Sequence, residues 1–269
     1  MMAIVRSRTS WLPPYTYKHC QVIAEGIYAN NVNNREELFS LMIDTLLQKL
    51  GRSILYIEVS HLTQKMFAYR QFRQRGFFPV KWLNITNSLH SRNPRERLDR
   101  RTQTRINKAI QRGTKTSEVT TTDELNAFHN LLRKHNMLKP RHYIPPRQFF
   151  EAADRQPYDS LLLTTYNNRA IGCSMTVFSQ QDAYFWYAAY RRKSFHFLYP
   201  QLLTIWHALL DAHRRGYRHF TFIDVGLPYR HSSLRELILR FGGKPQSTFR
   251  WFRFRIWWLN RLMAYIYRD

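Results

Sequence analysis

Acidic side chains are scarce. The 269 residues hold 18 Asp and Glu against 42 Lys and Arg, a formal net charge of +24. That excludes a surface repelling polyanions and points to an anionic partner: nucleic acid, a phosphorylated precursor or an anionic membrane surface. Cysteine is nearly absent. Cys20 and Cys173 lie far apart without a Cys-x-x-Cys pair, which excludes a disulfide framework and a thiolate zinc site, so no metal is expected and a reducing, cytoplasmic setting fits. Long apolar runs are missing too. The longest charge-free stretch, Ser194 to Leu210, contains Pro200, Gln201 and His207 and keeps its apolar residues on one helical face, the mark of a core helix rather than a membrane span. The opening "MMAIVRSRTSW" has no apolar core before its arginines, so no secretory signal peptide is expected.

What is present is a folding chain with uneven charge. Hydrophobic residues make up 44%, enough to fill a large core. Net charge is +6 over 1–85, +6 over 86–113, +1 over 114–185 and +11 over 186–269, carried by 32 Arg and only 10 Lys. Arg is the better planar partner for phosphate and carboxylate.

From Asp123 onward the order of elements is clear. "TTDELNAFHNLLRKHNML" has capping residues and apolar positions at helical spacing, and a short helix follows Pro145-Pro146. Three strand-like runs, "LLLTTY", "AIGCSMTVFS" and "AYFWYAAY", are separated by turns at Asn167-Asn168 and Gln180-Asp182. A helix from about Leu198 to Arg215 ends at Gly216, and then come "HFTFIDV", the helix "SSLRELILR", Gly242-Gly243 and the aromatic strand "TFRWFRFRI". The N-terminal part repeats the later portion of this order: a helix over 35–50, the strand "ILYIEV", a helix from Thr63 to Arg75 and the strand "FPVKWLNIT". "LGRSILYIEV" and "RGYRHFTFIDV" both run from helix end through glycine to a strand with an acid before valine, and place Glu58 and Asp224 166 positions apart. This points to an internal duplication whose first copy has lost its opening strands. Chance likeness of two helix-Gly-strand units accounts for the same pattern.

Between the copies, "NPRERLDRRTQTRINKAIQRG" sets Arg97, Arg101, Arg105, Lys108 and Arg112 at helical steps on one face. A solvated face has the same spacing, but five like charges at such steps repel unless an anion joins them.

The basic "RTQTRINKAIQRG" helix, the three-strand run, "FTFIDVG" and "SSLRELILRFGG" together resemble the FemAB-like branch of the GNAT acyltransferases, from about residue 92 to 256. That branch is known for peptidoglycan bridge aminoacyltransferases. The resemblance implies an α/β fold, a mixed sheet flanked by helices, with a complete second GNAT-like domain and a truncated first one. The expected layout is a partial domain over 1–91, a basic linker helix over 92–113 and the acyltransferase domain over 114–269. It implies transfer of an acyl or aminoacyl group to an amine of a cell-envelope precursor, from an aminoacyl-tRNA or acyl-CoA donor, with no permanently bound cofactor. The protein would work in the cytoplasm, peripheral to the inner face of the membrane where it meets an anionic surface.

Acyl transfer to an amine needs donor binding, oxyanion stabilisation and a route for the amine proton. Asp224, at a strand end beside Gly226, is the candidate base, although a loop-capping role fits it equally; Glu58 is its counterpart in the first copy. GNAT enzymes that use acetyl-CoA hold the pyrophosphate on a Gly-rich turn before the central helix. Here that turn, Tyr190 to Gln201, has no glycine, so Arg191, Arg192 and Lys193 are the candidate phosphate ligands. Members of the branch often carry Lys three positions before the Phe of Phe-Gly-Gly; Ile238 stands there, leaving Arg235 and Arg240 as the nearby cations. Tyr190, His196 and Tyr229 are further proton carriers or plain packing. Phe241 is expected in the core. The tail "FRWFRFRIWWLNRLMAYIY" suits a covering strand and helix, base stacking, or a membrane interface through Trp257, Trp258, Leu262 and Ile266. Two other functions stay open: a non-catalytic polyanion- or membrane-binding protein on a degenerate copy of the fold, and an acetyl-CoA-dependent N-acetyltransferase.

Overall fold

The computed structural model describes residues 2–7, 17–62, 64–137 and 144–267. In chain order its elements are β1 (Met2–Ser7), β2 (Lys18–Ile23), α1 (Arg35–Lys49), β3 (Ile54–Ser60), α2 (Tyr69–Gln74), β4 (Phe78–Ser88), α3 (Arg100–Gln111), β5 (Lys115–Glu118), α4 (Thr122–Asn136) and α5 (Arg147–Asp154). They continue as β6 (Asp159–Tyr166), β7 (Arg169–Ser179), β8 (Asp182–Tyr190), α6 (Pro200–Arg214), β9 (His219–Gly226), α7 (Ser233–Leu239), β10 (Lys244–Phe254) and α8 (Trp257–Ile266). Two compact units result: one comprises Met1–Leu83, Leu227–Arg230 and Ser247–Asp269, the other Asn84–Gly226 and His231–Gln246.

In the first unit the strands run in the order β1-β2-β3-β10-β4. Strand periodicity sends Ile57 and Val59 to one face and Tyr56 and Glu58 to the other. On the first face, Phe39 and Ile43 of α1 and Phe72 of α2 close over Cys20, Val22, Val59 and Trp251, with Phe72 stacked on the Trp251 indole at 4.7 Å. Helix α1 starts where Asn34 accepts from the Glu37 N–H, with Glu36 and Glu37 in its first turn, a favourable placement at the positive helix end. The other face carries Phe78, Val80 and Leu227, against which Trp82, Phe252, Phe254 and, from α8, Met263, Ala264 and Tyr267 pack.

The second unit orders its strands β4-β9-β8-β7-β6-β5. Leu161, Leu163, Cys173 and Met175 meet Leu125, Phe128 and Leu132 of α4 and Phe150 of α5. The opposite face takes α6. There Gly172 is fixed by proximity, because a Cβ on it would stand 2.2 Å from Thr204 Oγ1, and Thr164 and Thr204 share a hydrogen bond of 2.9 Å. Asp211 at the far end of α6 accepts from Ser160 Oγ at 2.8 Å and from Arg215 Nε at 3.0 Å, tying helix to sheet. Phe241 is buried, its ring parallel to that of Trp206 at 6.4 Å, as expected from the Phe-Gly-Gly pattern.

The duplication is visible in the pairing. β1 with β2 is antiparallel and β2 with β3 parallel; β7 with β8 is antiparallel and β8 with β9 parallel. The order β1-β2-α1-β3-α2-β4 thus repeats β7-β8-α6-β9-α7-β10. Among the described residues the first copy has no counterpart of β5-α4-α5-β6 and is shorter than the second.

Several expectations are corrected. The first copy does not lack all its opening strands: β1 and β2 precede α1, and they escape notice because each is only six residues long, with just Cys20 and Val22 of "KHCQVI" alternating into the core. Helix α2 covers only Tyr69–Gln74; Thr63, where that helix was expected to begin, lies outside the described residues. The four-residue strand β5 was not foreseen, since its "KTSE" carries no apolar alternation. The basic helix expected over 92–113 is two elements. Asn93 caps a short 3-10 turn over Pro94–Arg97, the chain extends at Leu98 (φ −74°, ψ 132°), and Asp99 caps α3. Asp99 accepts from both the Thr102 N–H and its hydroxyl, and these hydrogen bonds hold its carboxyl below the usual range. A side chain that caps a helix end cannot sit inside one, so Arg97 is off the face that Arg101, Arg105 and Lys108 share.

Candidate functional site

The site is built at the carboxyl ends of the parallel strands β8 and β9. Their paired register runs from Asp182↔His219 to Phe185↔Phe222, while β8 continues to Tyr190 and β9 to Gly226. Ligands in α/β sheets bind outside such strand ends. β8 leads into the turn over 191–199, and β9 ends in Asp224, Val225 and Gly226.

The turn is glycine-free, yet it adopts the backbone conformation that glycine favours. Tyr199 sits at φ 47°, ψ 49° as N-cap of α6, and Pro200 occupies the first helical position. A left-handed bulky residue costs about 1–3 kcal/mol, and here two cations of α3 brace it. Arg105 lies over the Tyr199 ring at 5.4 Å. Arg112, the C-cap of α3, donates from Nη1 to the Phe197 carbonyl at 2.7 Å and lies 5.8 Å from the Phe197 ring centroid. Two groups that were separate in the sequence, the α3 cations and the turn before α6, therefore meet. Arg191, Arg192 and Lys193 are exposed on that turn, with Arg192 donating to the Gln201 side chain at 3.3 Å. The Tyr199 side chain makes no capping bond to α6, and an uncapped N-terminus carries the positive end of the helix dipole.

Arg97, Arg235 and Arg240 lie elsewhere. Arg97 donates to Ser91 Oγ at 2.6 Å and passes close to Gly242, whose added Cβ would stand 3.3 Å from Arg97 Cβ. Arg240 ends α7 and its charge acts on Asp99, at the start of α3. From Asp99 to Arg112 is about 20 Å along the helix at 1.5 Å per residue, so Arg240 and the Arg191–Lys193 turn flank opposite ends of α3. Arg235 is half-buried in the first turn of α7, where its N–H bonds the Ser232 capping hydroxyl. Arg101 and Lys108 are exposed along α3.

Asp224 continues the Phe220–Phe222 face of β9, but those rings are buried and Asp224 is exposed, so the strand-end acid emerges into solvent. Glu58 is placed differently, paired at 3.1 Å with Arg250 while both side chains are almost buried. Arg250 in turn stacks on Trp82 at 4.1 Å. The Tyr190 phenol is buried, which pushes its pKa far up, and the Tyr190 backbone carbonyl accepts a 3.1 Å hydrogen bond from His135 Nδ1. A phenol held that firmly in its neutral form makes a poor proton shuttle. His196 is exposed in the 3-10 turn His196–Leu198, and Tyr229 is exposed in the segment Leu227–Arg230. Among the described residues no group of His, Cys, Asp and Glu could hold a metal ion.

A family model described as an acetyltransferase (GNAT) domain matches residues 100–231. FemX superposes with a TM-score of 0.59 at 12% identity, over 94% of this chain and 85% of that one. The fold is a GNAT fold, shared with FemX. The C-terminal domain of an Agrobacterium fabrum protein assigned as a lysylphosphatidylglycerol synthetase has a TM-score of 0.63 at 9% identity, covering 92% of this chain and 81% of that one. For L-PGS from Bacillus licheniformis the values are 0.60, 11%, 93% and 83%. No curated protein matches the sequence. The GNAT domain contains α3, the turn over 191–199, α6 and Asp224, and an acyltransferase fold fits a donor-binding turn before its central helix. The Lys position of the branch falls in the core: Ile238 is 2% exposed, so an ammonium at that backbone position would be buried. Phe197 and Tyr199 are the site residues the sequence did not single out. Pro200, a frequent first helical residue, marks the helix start, but nothing in the sequence signals that Tyr199 turns left-handed.

Proposed function

We propose that this chain transfers an acyl or aminoacyl group from a phosphate-bearing donor, an aminoacyl-tRNA first, to an amine of a cell-envelope precursor. The observation that carries this reading is the seating of Arg105 and Arg112 on the turn before α6, which adds a cationic helix to the place where the GNAT fold receives its donor. The exposed charges of Arg101, Lys108, Arg191, Arg192 and Lys193 extend that surface beyond what one pyrophosphate needs. A polynucleotide has phosphates enough to meet them. The names of the solved relatives, FemX and lysylphosphatidylglycerol synthetase, support an envelope acceptor.

In the reaction the acceptor amine nitrogen attacks the donor carbonyl, the new C–N bond forms, and the C–O bond of an ester donor breaks. Asp224 takes the amine proton directly or through water, and a proton returns to the departing ribose oxygen. The open helix end of α6 supplies N–H groups for the oxyanion or a phosphate.

The test supplies the protein with labelled aminoacyl-tRNA or labelled acetyl-CoA and an amine-bearing lipid or peptidoglycan precursor, and follows label into the acceptor. Transfer from aminoacyl-tRNA is expected, and Asp224→Asn should lower it by roughly two to four orders of magnitude, the scale of a lost general base. Folding should persist, since Asp224 is exposed and Asn is nearly isosteric. Transfer from acetyl-CoA alone would replace the donor assignment; no transfer from either would leave a binding protein; full activity in Asp224→Asn would remove that acid from the mechanism.

A further inference from the structure

Helix α8 has two different faces. Its inner face, Leu259, Asn260, Met263, Ala264 and Tyr267, is half-buried and joins the apolar cluster around Phe78, Phe252 and Phe254. Asn260 locks that orientation: its side-chain oxygen accepts from the Phe254 N–H at 2.8 Å and its amide donates to the Gly76 carbonyl at 2.9 Å. The outer face is therefore held outward, and at 100° per residue it consists of Trp257, Trp258, Arg261, Leu262, Tyr265 and Ile266. All six are exposed, Trp257 at 71% and Tyr265 at 74%. A surface helix normally turns polar residues to solvent. This one presents five apolar or aromatic side chains and a single cation.

We infer that α8 is a membrane-docking helix that lies in the interface of an anionic lipid bilayer. It is ten residues long, about 15 Å, too short to span a bilayer, and no helix among the described residues is long and apolar enough to cross one. Two tryptophans and a tyrosine on one side are the residues that settle at headgroup level. Charge decides between lipid and a second copy of the chain. From Leu237 to Tyr267 there is no acidic residue, while Arg261 and Arg255 are exposed on and beside the helix. A self-association through this face would bring Arg261 of both copies into an apolar contact with no carboxylate from the segment to pair them, and an unpaired buried charge is costly. Against anionic headgroups the same arginine, with exposed Arg255 beside the helix, is an attraction while the rings enter the acyl boundary.

The test is co-sedimentation of the full chain with phosphatidylcholine vesicles, with and without about one-third phosphatidylglycerol, at about 0.15 M salt. Binding is expected to the phosphatidylglycerol vesicles, with a blue shift of tryptophan emission, and weakly or not at all to phosphatidylcholine alone. Trp257→Ser with Trp258→Ser should weaken it about tenfold or more, and Arg261→Glu should reduce it too, each with an unchanged thermal melt because these positions are exposed. Absence of binding, or binding undiminished in the double variant, overturns the inference. So does sedimentation equilibrium showing a dimer that the double variant dissolves, which would assign the face to a second copy.

Discussion

Replacing Arg105 and Arg112 together by Ala separates the bracing of the turn from the proposed binding of the donor. In the folded protein the pair supplies one charged hydrogen bond to an exposed carbonyl and two cation–π contacts. At about 0.5–1 kcal/mol for each ring contact on a surface and about 0.5–1.5 kcal/mol for the hydrogen bond, the loss is about 1.5–3.5 kcal/mol. For a unit of this size that lowers Tm by roughly 3–14 °C, leaving a folded protein to assay. Toward a tRNA donor the effect is of another kind. Each phosphate contact contributes about 0.7–0.9 to the slope of log affinity against log salt, so losing two should flatten it by about 1.4–1.8. Anisotropy of labelled aminoacyl-tRNA, titrated between about 0.05 and 0.3 M salt, measures it. Arg155→Ala, on the exposed side of α5 and paired only with Glu151 among the described contacts, is the control expected to change neither slope nor activity. A slope unchanged in the double variant, or flattened as much by Arg155→Ala, would refute donor binding on α3.

Two further outcomes follow from burial. Ile238→Lys places an ammonium at a core position of α7 and should cost about 3–5 kcal/mol as an unpaired buried charge, seen as a lower denaturation midpoint; unaltered stability with a gain in transfer would mean that the lysine reaches the site from there. For His207 on α6, burial first and the Arg214 charge second hold the imidazole below its ordinary value of 6.5. The unfolded chain then binds the extra proton more readily, so stability is full above that value and falls as pH drops below it; Tm followed from about pH 8 to pH 5 should decline less steeply in His207→Gln, and parallel curves would remove His207 as a contributor.

How far the site was legible depends on what encodes each piece. The run from β6 to α6 could be read because burial there follows simple periods: Leu161 and Leu163 alternate to one face, and Leu202, Leu203, Trp206 and Leu209 recur at helical steps. The duplication was legible for the same reason, as "ILYIEV" and "FTFIDV" keep their order of apolar, acid and valine. Yet Glu58 and Asp224 occupy like positions and have unlike surroundings, because Glu58 meets Arg250 from β10, a partner 192 residues away, while Asp224 is solvent-exposed. Periodicity marks a face and says nothing about which distant strand arrives there. The cations of α3 show the same limit from the other side. Their spacing could be read, but the reading ran one helix through Asn93 and Asp99, the two caps that separate Arg97 from the rest. What could not be read is that Tyr199 takes a left-handed conformation and so brings Phe197 and Tyr199 under Arg112 and Arg105. A glycine-free turn looks closed to phosphate only if its backbone is assumed to be ordinary. With Tyr199 held left-handed and its ring occupied by Arg105, the start of α6 keeps a glycine-like backbone path while adding side-chain charge, and it is on this combination that the proposed preference for a polynucleotide donor over a lone pyrophosphate rests.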